Sequence, residues 1–143
     1  MKKRMTTDEL LAKIPMVTNL KDFFGDEMIP QPPPFHEYLR QLCQSRGEIA
    51  EHVIERAGLD RAYGHQLFGG RRKPSRDKVI QLAFGFGLNV EETQQLLKIA
   101  REPFLYPRLK RDAVIIYCIT QNMGVTETQS LLVDFGLQPL FGE

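Results

Sequence analysis

Residues 75–105, SRDKVIQLAFGFGLNVEETQQLLKIAREPFL, lie without gaps on residues 110–140, KRDAVIIYCITQNMGVTETQSLLVDFGLQPL, when the chain is shifted by 35 residues. Arg76-Asp77 falls on Arg111-Asp112, Val79-Ile80 on Val114-Ile115 and Val90 on Val125. Glu92-Thr93-Gln94 falls on Glu127-Thr128-Gln129, Leu96-Leu97 on Leu131-Leu132, and Leu105 on Leu140. Each copy reads as helix, loop, helix, and such units bury their apolar faces by stacking on one another. Two copies are too few for a solenoid. The second hairpin, Leu109–Leu140, is therefore expected to pack beside the first and extend its core. No stretch alternates with period two, so the spacing predicts an all-α chain.

Three more helices are expected ahead of the repeat. Phe35, Leu39, Leu42 and Cys43 share one face, with a break at Gly47. Ile49, Val53, Ile54 and Ala57 form a second helix that stops at Gly58, a residue able to take the left-handed C-terminal conformation. Asp60 is a good N-cap for a third, with Leu67 and Phe68 pointing inward. Ser75 caps the fourth, and Asn89 and Glu92 form a capping-box pair before the fifth. Residues 1–34 read as an N-terminal arm. Thr6 and Glu9 have capping-box spacing for a helix from about Thr7 to Lys13, and Pro30, Pro32, Pro33 and Pro34 impose an extended connector. The expected organisation is thus arm and connector 1–34, a five-helix module 35–105, and a C-terminal helical hairpin 106–143 packed on it.

At 143 residues the chain can bury a real core. Apolar runs such as Ala113–Ile116 are too short to span a membrane, and MKKRMTTDELLAKI lacks a signal-peptide apolar stretch. Cys43 and Cys118 sit among apolar neighbours with no metal-ligand spacing, as reduced core residues of a cytoplasmic protein would. Phe84, Phe86, Phe104, Tyr106, Tyr117 and Phe135 are expected in the core. No catalytic residue, metal site or cofactor is expected. Gly69-Gly70 lacks the strand and the Lys-Ser/Thr of a phosphate loop, and neither cysteine has a positionable histidine. A net charge of +1 excludes a strongly basic whole-protein field, so any affinity for nucleic acid must come from a local patch.

Such a patch exists in Gly58–Ser75, GLDRAYGHQLFGGRRKPS. A helix ends at Gly58, a tight turn runs through Leu59, and a short helix follows Asp60. A Gly-Gly exit then leads into Arg71, Arg72, Lys73 and Arg76, four cations within six residues. A short exposed helix backed by basic residues can lie in a DNA major groove while the cations hold flanking phosphates.

Over Phe35 to about Leu97 the chain resembles the lambda-repressor and Cro-like (Xre-type) helix-turn-helix family. The resemblance rests on Gly58-Leu59-Asp60, the helix Arg61–Phe68, the turn Gly70-Arg71-Arg72-Lys73-Pro74-Ser75, and Leu82-Ala83 with Phe86-Gly87-Leu88. It implies base readout by Arg61, Ala62, His65 and Gln66, and the i, i+4 pairs Arg61/His65 and Ala62/Gln66 agree with one exposed face. It also implies phosphate or sugar contact by Tyr63 and phosphate contacts by Arg71, Arg72, Lys73 and Arg76.

Three features depart from the family pattern. Gly64 stands where an apolar residue usually packs the recognition helix, which a close helix–helix approach would explain. Ile49 and Ala50 replace a Ser/Thr-Gln start. Glu48, Glu51 and Glu55 form an acidic stripe on the second helix of the module. His36 and His52 read as surface residues. The recurrence of Arg-Asp in the second hairpin gives Arg76 an alternative, structural reading.

The expected function is that of a bacterial or phage-type transcriptional regulator, a repressor, binding double-stranded DNA sequence-specifically as a homodimer on a palindromic site. The dimer surface would come from the C-terminal hairpin or from the arm. The alternative is a protein-interaction adaptor or antitoxin-like module on the same helices, without DNA binding.

Overall fold

The computed structural model describes residues 6–16, 18–19 and 32–142, and among these the regular structure is helical throughout. The chain divides into two units, one through Pro32 and one from Pro33. In the first, α1 (Thr7–Lys13) is followed by a single 3-10 turn, Ile14–Met16. Its start is a reciprocal capping box: Glu9 N donates to Thr6 Oγ1, and Thr6 N donates to Glu9 Oε2. Of the expected proline connector, Pro30 lies outside the described residues. Pro34 has φ −55° and ψ 148°, the polyproline conformation.

The second unit holds α2 (Phe35–Arg46), α3 (Ala50–Arg56), α4 (Arg61–Phe68), α5 (Arg76–Phe86), α6 (Val90–Ile99), α7 (Lys110–Thr120) and α8 (Val125–Asp134). Leu39, Ile54, Leu67, Ile80, Leu97, Ile115 and Leu132, one from each helix, are buried in a single apolar cluster. The core therefore runs without a break across residue 105. The second hairpin extends it, as its alignment with the first requires.

The two hairpins are held by an exchange of partners. The Arg76 guanidinium donates to both carboxylate oxygens of Asp112, at 3.1 and 2.8 Å. Arg111 donates in the same way to Asp77, at 2.9 and 3.0 Å. Most of the remaining bonds also correspond under the 35-residue shift, although the Phe141 carbonyl stands one residue beyond the equivalent of the Leu105 carbonyl, and Tyr106 N adds a bond to Asp112 Oδ2. Arg76 donates to the carbonyls of Pro103 and Phe104, and Arg111 to those of Gln138 and Pro139. Gln94 bonds the backbone N–H and carbonyl of Leu105, while Gln129 bonds Leu140 N and the Phe141 carbonyl. Across the hairpins α5 packs on α8 and α6 on α7. Each half thus gives the other what it receives, the pattern of a twofold-related interface within one chain.

Two glycines set how closely helices approach in the first half of this unit. A Cβ on Gly64 would lie 2.5 Å from Ile54 Cγ2, so α4 rests directly on α3 there. A Cβ on Gly85 would lie 2.5 Å from the Val53 carbonyl oxygen and 2.9 Å from Ala57 Cβ, which brings α5 equally close to α3. Gln81, buried between them, donates to the Ala57 carbonyl. The Gly64 departure is therefore explained by contact between helices rather than by a missing side chain.

Not every aromatic residue is inside. Phe104, Tyr106, Tyr117 and Phe135 are each more than half exposed, whereas Phe86 is buried and Phe84 half-buried. Tyr117 aligns with buried Leu82 and Phe135 with buried Ala100. For Tyr117 the difference follows from coverage: α5, which carries Leu82, lies under α3, and the repeat contains no second α3 to lie on α7.

Candidate nucleic-acid interface

The turn that delivers α4 is built from local bonds. Gly58 takes φ +70°, and Leu59 N donates back to the Ile54 carbonyl, closing α3 while Leu59 is buried. Asp60 then caps α4 by accepting from Tyr63 N at 3.1 Å. Gly64, Leu67 and Phe68 face inward. Arg61, Ala62 and His65 are exposed, and Gln66 is half-buried beside them. The four side chains expected to share the outer face of α4 do share it.

The exit from α4 places the cations. Gly70 takes φ +78° and Arg71 N donates to the Gln66 carbonyl at 2.9 Å, a C-terminal motif that turns the chain sharply away from the helix axis. Pro74 is buried and anchors the far end of this turn, while Arg71, Arg72 and Lys73 are exposed. Arg72 lies with its guanidinium carbon 6.0 Å from the centre of the Tyr63 ring, and its Nε donates to Gln66 Oε1 at 3.1 Å. Tyr63, Gln66 and Arg72 thus form one small cluster at the end of the exposed face. Arg71 and Lys73 pair with no carboxylate among the described residues.

Arg76 is set apart from these cations. Its guanidinium is spent on Asp112 and on two carbonyls, and only 21% of the side chain is exposed. Of the two readings its sequence left open, this geometry favours the structural one and removes Arg76 from the set of phosphate contacts. Arg61 is exposed but bridges Glu51 of α3 at 2.7 Å, so it meets a ligand only by leaving that carboxylate.

Of the acidic stripe, Glu48 lies just ahead of α3 and Glu51 and Glu55 on it, and the first two are compensated by arginines. Glu51 pairs with Arg61, and Glu48 pairs with Arg56, which also donates to the Gly85 carbonyl. Ser75 occupies the N-cap position of α5 but makes no side-chain cap bond. Burial pushes the Cys43 thiol above its ordinary pKa, which keeps it protonated near neutral pH.

Sequence reasoning missed Arg40 and the true position of His36. Arg40, on α2, donates through Nε to the Phe68 carbonyl at 3.2 Å and so reaches the end of α4. The His36 ring packs against Gly70, where a Cβ would lie 2.8 Å from Nδ1. A signal existed in the one-turn spacing of His36 and Arg40 on α2, but nothing local tied that face to residues 68–71.

No family model, curated protein or solved structure matches this chain. Among the described residues no helix is long and apolar enough to cross a membrane.

Proposed function

We propose that the chain binds double-stranded DNA sequence-specifically through a lambda-repressor-like helix-turn-helix, α3–turn–α4, and acts as a transcriptional regulator. One observation carries the reading: the outer face of α4 is exposed and flanked by Arg71, Arg72 and Lys73, none of which pairs with a carboxylate among the described residues. Arg61, Ala62, His65 and Gln66 would meet base edges, and Arg71, Arg72 and Lys73 would meet phosphates. Release of Arg61 from Glu51 would couple binding to breakage of one exposed ion pair, a small cost.

The test is fluorescence anisotropy against a mixed-sequence duplex of about 30 base pairs at several salt concentrations. Log affinity is expected to fall linearly with log salt, each phosphate contact adding about 0.9 to the slope. The double variant Arg71→Glu/Arg72→Glu is expected to abolish binding while retaining the helical circular-dichroism spectrum. Absence of wild-type binding at low salt would sink the proposal.

The protein-interaction reading draws on one different observation, the exposed Tyr117, Val133 and Phe135 of the second hairpin. In that case the Arg71→Glu/Arg72→Glu variant retains its protein partner.

A further inference from the structure

An open cleft of about 440 Å³ lies between α2 and the end of α4, lined by Arg40, Ala62, His65, Gln66, Gly69 and Arg71. Its chemistry is one-sided. Arg40 and Arg71 can only donate, the Gln66 carbonyl oxygen already accepts from Arg72, and no carboxylate lines the cleft. Glu48 lines an adjoining cleft with Arg40 and His65 but is paired with Arg56. Arg40 uses Nε on the Phe68 carbonyl, which fixes the side chain and leaves both terminal nitrogens without a partner among the described residues. Two arginines from separate parts of the chain therefore line one cleft that no carboxylate lines.

We infer that this cleft binds a single phosphate group, clamped between Arg40 and Arg71 with His65 beside it. Guanidinium is suited to the task because its planar fork donates two parallel hydrogen bonds to one phosphate. The inference rests on the DNA reading for the preferred source, a backbone phosphodiester, because Ala62 and His65 belong both to this cleft and to the exposed face of α4. A phosphate held here would fix how α4 sits against the strand it faces. A free phosphate or phosphomonoester offers the same chemistry without a duplex.

Two arms separate these sources. In the first, duplex binding is measured against salt for the wild type, Arg40→Gln, Arg71→Gln and the double variant. A shared clamp predicts that each single variant lowers the salt slope by about 0.9, and that the double variant lowers it by little more than either. Arg71 makes no side-chain bond among the described residues, so Arg71→Gln keeps the test available if Arg40→Gln disturbs the fold. In the second arm, inorganic phosphate is titrated into the isotope-labelled full chain while the His65 and Gly69 resonances are followed. If the wild type binds DNA but Arg40→Gln changes nothing, the clamp is overturned and the DNA reading stands. Additive slope losses in the double variant overturn the shared site. A chain that ignores DNA but shows phosphate-dependent shifts, lost in Arg71→Gln, supports the cleft with free phosphate as its occupant. No response to either ligand overturns the cleft and the DNA reading together.

Discussion

At the scale of single residues, the absence of a side chain carries as much information as its presence. Gly64 and Gly85 both sit where a methyl group would overlap α3, but they would meet different things. At Gly64 the neighbour is the Ile54 side chain, whereas at Gly85 it is the Val53 carbonyl and the Ala57 Cβ. Alanine gains about 1 kcal/mol of helix propensity over glycine, while overpacking costs about 1–3 kcal/mol. Gly85→Ala is therefore expected to be the more destabilising, by about 1–3 kcal/mol in urea denaturation, because backbone yields less readily than a side chain. Gly64→Ala is expected to lose less. The reverse order would show that α3 shifts easily along α5. The outer face of α4 was legible in the sequence because helical period alone decides which residues lie opposite Leu67. Its competing contacts were not. Nothing in the order of residues reveals that Arg61 leans on Glu51, or that Arg40 reaches a carbonyl 28 positions away.

At the scale of elements, the boundaries were legible wherever a cap is chemically specific. Thr6 with Glu9, Asn89 with Glu92, Asp60 and Gly58 each mark a helix end where one forms. Ser75 shows the limit of the argument, because the residue has the right backbone conformation and makes no cap bond. The repeat predicted that Arg-Asp pairs would open both α5 and α7. It did not predict that each arginine would cross to the other helix, since similarity between copies says nothing about their relative placement. The two crossed pairs differ in burial: the Asp112 side chain is 2% exposed and the Asp77 side chain 30%. Removing one partner of a buried pair leaves a poorly compensated charge, at about 3–5 kcal/mol, while a pair with one partly exposed carboxylate costs less to break because water can take the partner's place. Arg76→Ala is accordingly expected to destabilise the fold more than Arg111→Ala, measured by chemical denaturation, because the Asp112 carboxylate it strands is the more buried. Equal losses would mean that water reaches Asp112.

At the scale of the whole molecule, the unit from Pro33 onward shares one core between a five-helix segment and a hairpin that repeats its last two helices. Ending the chain before Tyr106 would remove Asp112 from Arg76 and Ile115 and Leu132 from the core. Such a truncation is expected to lower the melting temperature, broaden the transition and expose surface that binds a hydrophobic dye. An unchanged melting curve would mean that the hairpin is an independent appendage. The exchange of arginines has a further consequence. Two separate chains that met through this interface would part on dilution, because association costs translational freedom. Here a short tether, from Ala100 to Leu109, joins the halves and keeps each at an effective concentration on the order of millimolar around the other. What would otherwise be an equilibrium between subunits is thereby an intramolecular closure, equally complete in a cell and in a nanomolar binding assay.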